Sequence, residues 1–592
     1  MGYRFYTLML AASAGIAVAG ETTIGDVGHV AKISRPGQYA GYSAARFDGY
    51  QLTSFYVPVR DGTKLAVDLF RPTLHGKTVS ERFPVIWMNT PYNRRTFKGQ
   101  LTAAAYPGYA LQLVKYGYNV AIVDFRGLYG SYGQNHAYNV GEFVGPAVTD
   151  AYDMTEWFAR QPWSTPRVGM WGCSATGGSQ VQAATTRPPS LKAIMPMSPS
   201  FDAYTFGVLG GVAPPGPVVG TGHPAEGTNP NAARDADAVA VDGLDGKREL
   251  AEAVAQHLDN ADSVGVVPFR DSPSAPLGGI KWWEVSSPSS KLAQLREGDF
   301  GVYAVATWDE FVTKPAAFGL FANLPAGRAK FLVGPKTHCA WDDVQKDEGF
   351  SIVTEELRFF DYWLKGIKNG VMDEPPVTYF TYNAPDASKW RTSKSWPLSA
   401  ERRTPYYLGS KLLGADPQEV DGEDPVALSP ALPDRVLDTT PLEGGLIYET
   451  APLHRNLQVT GHPVLQLWLR TTAPDVDVVA RLEDVAPDGS SKTYQMMGRM
   501  RASGRVLSTA PYRNFGLPWH SFRAADARPI IPGQPTSLAF DLLPMSYIYP
   551  AGHRIRLHLI FSDPQRRPGQ PSVSVLHERG ALSTLVLPVI PD

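Results

Sequence analysis

Cysteine is nearly absent from this chain, with two residues in 592. So few cannot form a disulfide framework. With no Cys-x-x-Cys or His-Glu-x-x-His spacing, the usual zinc sites are not expected either, and no metal or cofactor is called for. An excess of charge of one sign is also missing. The chain has 55 Lys and Arg against 57 Asp and Glu, a formal net charge of −2, which indicates neither a phosphate-tracking surface nor a polybasic membrane patch. Nucleic acid is therefore not an expected partner. No run approaches the ~20 apolar residues of a transmembrane helix. What is present is a 43% hydrophobic composition on a chain too long for one core, which predicts several domains.

The first residues read as an address. Arg4 precedes an apolar stretch from Tyr6 to Ile16, then Ala17-Val18-Ala19 and Gly20-Glu21. This order of charged, apolar and small residues predicts a secretory signal at 1–19 and a periplasmic or secreted protein beginning at Gly20.

The most informative segment is Val168-Gly169-Met170-Trp171 followed by Gly172-Cys173-Ser174-Ala175-Thr176-Gly177. An apolar run entering a turn of small residues around a serine predicts a strand-to-helix elbow presenting a nucleophile. One departure is plain, for the residue two past the serine is Thr176 and the glycine comes one position later. A base and an acid follow in the order used by α/β-hydrolases. The strand-like run 302–308 ends at Asp309, and Ala329-Lys330-Phe331-Leu332-Val333 leads through Gly334-Pro335-Lys336-Thr337 to His338. The predicted triad is Ser174, His338 and Asp309.

Shorter signals fill in the architecture. Apolar strands near 84–88, 120–123, 168–171 and 193–195 alternate with helical stretches, which predicts a mostly parallel sheet. The segment 148–159 puts Ala151, Met154, Thr155 and Phe158 on one helical face. Between 203 and 300 the strand pattern stops, and a helix is expected over 249–261. Beyond about 375 alternating runs such as Val377-Thr378-Tyr379-Phe380 predict an all-β domain. The turn aspartates Asp475, Asp477 and Asp488 lack a calcium-loop spacing and are read as bonding their own backbone.

Together with Arg60-Asp61-Gly62-Thr63-Lys64-Leu65, Thr90-Pro91-Tyr92, Asp124-Phe125-Arg126-Gly127, Trp308-Asp309, Gly334-Pro335 with His338, and the C-terminal Gly552-His553-Arg554, these features resemble the cocaine esterase and X-Pro dipeptidyl peptidase family. The resemblance covers about residue 50 to the end. It implies an α/β-hydrolase core in two parts (20–202 and 301–374), a helical cap insertion at 203–300 and a C-terminal jelly roll at 375–592. It implies a serine hydrolase that cleaves a small-molecule ester or amide through an acyl-enzyme. In such a site Tyr92 and the backbone amide of Ala175 would bind the oxyanion. Relatives usually carry a tyrosine where Ala175 stands, and α-amino ester hydrolases carry a carboxylate where Gly177 stands. A neutral acyl group is therefore expected, and esterase activity ahead of peptidase or acylase activity. A secreted glycan- or cell-wall-binding protein with a decayed hydrolase site is the alternative outside enzymology.

Three readings remain local. Cys173 precedes the nucleophile and Cys339 follows the base; two free, buried thiols are favoured, with a disulfide left open. Trp282-Trp283 either line an acyl pocket or anchor packing. The Pro- and Gly-rich stretch from Leu209 to Pro230 is a candidate lid. Oligomeric state is not legible.

Overall fold

A computed structural model describes residues 31–591 apart from 136–144, 213–228, 230, 259, 261–267, 274–278, 312, 418–421, 430–431, 433–441, 495 and 568–570. The signal segment and most of the candidate lid lie outside the described residues. Among those described, no helix is long and apolar enough to cross a membrane.

The core is a twisted sheet whose parallel part runs, in spatial order, through Asn119–Asp124, Phe83–Thr90, Ser164–Cys173, Leu191–Met197, Gly301–Asp309, Ala329–Thr337 and Val377–Phe380. Antiparallel strands close both edges, Lys64–Leu74 and Gly49–Pro58 on one side and Trp390–Ser393 on the other. The central strands are almost wholly buried. That follows from their continuous apolar runs, because a parallel sheet covered on both faces has no wet side to supply with polar residues. One face packs under the helix Asp150–Ala159, where Ala151, Met154 and Phe158 join Trp87 and Val168. The other face is covered by the helix Ile352–Lys365, whose Leu357, Phe359, Phe360 and Leu364 meet Trp171 and Ile194's neighbours Ala193 and Met195.

Two expectations are corrected in extent. The strand Val377–Phe380, read as part of the β domain, pairs in parallel with Ala329–Thr337, so the hydrolase sheet continues past 375. Period-2 alternation marks a strand but does not say which sheet it joins. The helix expected at 249–261 is Gly246–Ala255, and Leu258, beyond its C-terminal end, is 42% exposed.

The 203–300 insertion contains the helices Ala203–Gly207, Gly246–Ala255, Trp282–Val285 and Leu292–Glu297. Trp282 and Trp283 are each 2% exposed and pack with Tyr204 and Val208. They are packing anchors, and Gly207 is required beside them because a Cβ there would stand 2.4 Å from the Trp283 ring. From Arg402–Gly409 onward the chain forms a separate sheet system around Leu465, Leu467, Val478, Leu482, Leu557 and Leu559. Its turn aspartates are satisfied internally: Asp475 accepts from Ser503, Asp477 pairs with Arg501, and Asp488 accepts from the Ser490 amide.

Candidate active site

The strand Ser164–Cys173 ends in a sharp turn and the helix Ala175–Thr185 begins at once. Ser174, between them, has φ 63° and ψ −127°, a conformation that costs a non-glycine residue on the order of 1–3 kcal/mol and persists only where its surroundings impose it. The Ser174 amide donates to Met197 O at 3.0 Å, tying the elbow to the neighbouring strand. The two glycines have separate tasks. Gly172 takes φ 132°, and Gly177 lets the helix approach the strand, since a Cβ there would lie 2.2 Å from Met197 O. Thr176, the departure from the usual pattern, is fully buried and its hydroxyl donates to Cys173 O at 2.8 Å. The side chain caps the turn that a glycine would leave bare.

Tyr92 lies where the sequence places it. Its hydroxyl donates to Ser174 Oγ at 3.3 Å and accepts from the Ala175 amide at 3.4 Å. The ring rests among Phe97 and Tyr106. The loop carrying it is held by a buried ion network that the sequence reading did not pick out. The Arg94 guanidinium pairs with Asp68 at 3.0 Å and Asp124 at 2.9 Å, all three side chains being fully buried, and the Arg94 amide donates to Asp124 as well. Asp124 had appeared only as a motif position, and nothing local in the sequence pairs it with Arg94.

The acid is the principal correction. His338 Nδ1 meets Glu310 Oε2 at 2.8 Å, not Asp309. Glu310 is 3% exposed and is further held by the Thr307 amide at 2.9 Å and the Thr313 hydroxyl at 2.6 Å. Burial by itself would raise this carboxyl, but the hydrogen bond and charge of His338, with the Thr313 bond, hold it below its ordinary value. Asp309 turns elsewhere: its Oδ2 accepts from the Tyr382 hydroxyl at 2.7 Å. Burial pushes its carboxyl up, with the Tyr382 bond and the buried Lys314 ammonium opposing. Successive side chains at a strand end point to opposite faces, so only one of two adjacent carboxylates can face the histidine. The available signal was the Asp309-Glu310 pair itself, because this fold accepts either acid.

The two cysteines form a disulfide, Cys173–Cys339, with Cα atoms 6.1 Å apart. The expectation of free thiols fails because the elbow and the histidine loop bring the two Cα atoms to a separation that a disulfide spans. The link bonds the residue before Ser174 to the residue after His338 and brings a His338 ring nitrogen within 4.8 Å of Cys173 Sγ. Both sulfurs are consumed, so this trio offers a metal no thiolate.

Residues 61–340 match the X-Pro dipeptidyl-peptidase (S15 family) domain, and residues 369–581 match the X-Pro dipeptidyl-peptidase C-terminal non-catalytic domain. The chain is 29% identical to a Mycobacterium bovis protein named as a serine esterase, over 94% of this chain and 98% of that one. It is 27% identical to the cocaine esterase of a Rhodococcus strain, over 86% and 90%. In fold it is similar to a CocE/NonD family hydrolase of Staphylococcus aureus, with a TM-score of 0.66 and 17% identity over 91% of this chain and 93% of that one. With both family domains present in order and the serine elbow inside the first of them, the protein belongs to the S15 peptidase and cocaine esterase family of α/β-hydrolases and is a serine hydrolase.

Proposed function

We propose that the protein is an exported esterase that cleaves small-molecule esters with a neutral acyl group through an acyl-enzyme on Ser174. His338 acts as general base and acid, Glu310 orients its imidazole, and Tyr92 with the Ala175 amide binds the oxyanion. The observation that carries this reading is the Tyr92 hydroxyl, within 3.4 Å of both Ser174 Oγ and the Ala175 amide. One phenol thus touches the attacking oxygen and shares the space where a tetrahedral oxyanion would form.

In the first half-reaction His338 takes the Ser174 proton as Oγ adds to the substrate carbonyl. The negative charge moves to the former carbonyl oxygen, where Tyr92 and Ala175 donate to it. Collapse expels the alcohol, which leaves with the proton from His338. Water then repeats the sequence on the acyl-enzyme and releases the acid. The Glu310 carboxylate fixes the tautomer that keeps Nε2 free to accept, and stabilises the imidazolium.

Gly177 supports a neutral acyl group. A carboxylate side chain at that position would meet Met197 O, so this route to holding a substrate ammonium is closed. Export is supported by the signal-like order of residues 1–19 and by the Cys173–Cys339 disulfide, a bond that persists in oxidising compartments.

The test is Ser174→Ala against p-nitrophenyl esters and aminoacyl-p-nitroanilides, alongside fluorophosphonate labelling. The expected result is labelling and ester turnover in the parent, with both lost in the variant to below roughly one part in a thousand. Faster turnover of the anilides by the parent would assign a peptidase instead.

A further inference from the structure

A cavity of about 150 Å³ lies where the cap, the helix Lys314–Asn323 and the β domain meet. Among the described residues its lining includes none of Ser174, Tyr92 and His338. Phe201, Phe206, Phe318 and Phe515 stand on its wall, and its polar lining includes Asp202, Thr205, Arg513 and Asn514 beside His462 and Asp541. Asp202 is already engaged by Arg270 and the Tyr512 hydroxyl, which leaves His462 and Asp541 as the pair of interest. Apolar cavities of this volume admit a single benzene-sized ring.

The polar pair gives the cavity its chemistry. The His462 ring packs between Phe318 and Phe515 with its side chain 6% exposed. Its Nε2 accepts from the Trp396 indole N–H at 3.2 Å, so in the neutral imidazole the proton sits on Nδ1. That Nδ1 is buried and has no hydrogen-bond partner. The nearest carboxylate oxygen, Asp541 Oδ2, is 3.9 Å away, too far for a direct bond. The gap fits one oxygen atom. Placed about 2.8 Å from each, such an atom would accept from Nδ1 and donate to Oδ2 at an angle of about 90°.

The His462 side of the cavity disfavours a cation. Burial, with Lys314 and Arg403 adding to it, drives His462 down to about 3, so the imidazole stays neutral and turns the positive end of its N–H toward the cavity. Desolvation also pushes the Asp541 carboxyl up, with 37% of its side chain still exposed.

We infer that this cavity binds a small neutral aromatic alcohol, its hydroxyl bridging His462 Nδ1 and Asp541 Oδ2 and its ring held among Phe201, Phe206, Phe318 and Phe515. The site adjoins the catalytic loop, since Pro315 and Ala316 on its wall follow Thr313, which donates to Glu310. The inference stands on the cavity alone and does not depend on the catalytic assignments.

Calorimetric titration of the full chain with phenol, toluene and benzylammonium tests it, before and after fluorophosphonate has closed the serine site. Phenol should saturate with a Kd at or below about 1 mM, at least tenfold tighter than toluene or benzylammonium, and labelling should leave that Kd unchanged. Asp541→Ala should weaken phenol at least tenfold and leave toluene unaffected. If that variant fails to fold, the ligand series on the unmodified chain decides. No saturation by about 10 mM, which would mean that only water bridges the pair, overturns the proposal. So would equal affinity for toluene, preference for benzylammonium, or loss of phenol binding on labelling.

Discussion

Glu310 Oε2 and His338 Nδ1 meet at 2.8 Å, while Asp309, one residue earlier, bonds the Tyr382 hydroxyl instead. The two adjacent carboxylates therefore have different partners on different sides of the strand end. Glu310→Gln should lower kcat by about 10⁴-fold with the fold intact, as expected when the orienting acid is lost and the wrong tautomer is favoured. Asp309→Asn should retain activity within about tenfold, because it touches the histidine loop only through Tyr382, which accepts from the Lys336 amide. Steady-state rates of the two variants on one p-nitrophenyl ester settle the assignment, and equal losses would argue against it.

The pH dependence of stability follows from the same contact. The Glu310 carboxyl is held below its ordinary 4.5 in the folded protein. Its contribution to stability is therefore fully present above the unfolded value and is lost as pH falls through the lower, folded value. Acid unfolding monitored by circular dichroism should show this loss below about pH 4.5 in the parent. In Glu310→Gln that part of the slope should be missing.

Tyr92→Phe removes one oxygen from a ring that stays packed against Phe97 and Tyr106. The loss should appear in kcat and kcat/KM alike, on the order of 10²-fold, because the hydroxyl acts on charge that exists only in the transition state. A variant with raised KM and unchanged kcat would make Tyr92 a ground-state contact.

The disulfide closes a loop across 166 residues of sequence separation. Chain-entropy reasoning gives such a link about 5 kcal/mol. The double variant Cys173→Ala, Cys339→Ala should therefore melt several degrees lower than the parent. It should also lose turnover, because the elbow and the histidine loop are no longer joined beside the reacting groups. Differential scanning calorimetry with and without reductant reads the first effect, and a Tm unmoved by reductant would mean that the thiols are free.

Much of the candidate site's placement was legible in the sequence because its signals are local. Gly172, Ser174 and Gly177 announce the elbow through the backbone demands of a tight turn, and the apolar runs at 168–171 and 302–308 announce buried parallel strands. Tyr92 and Ala175 came through the family resemblance, and the hydroxyl and amide do converge on Ser174. The Arg94–Asp68–Asp124 network was not legible, since its members are brought together only by the pairing of distant strands.

The sequence by itself determined the kinds of element, their order and the glycines and serine of the elbow, because those depend on residues within a turn or two of one another. Only the tertiary structure decided which of Asp309 and Glu310 faces His338, whether Cys173 and Cys339 bond, and which sheet Val377–Phe380 joins. Each of those outcomes depends on the direction of a side chain or strand edge relative to a partner far away in the chain. Local propensity carries no information about that direction, and close packing admits only one answer.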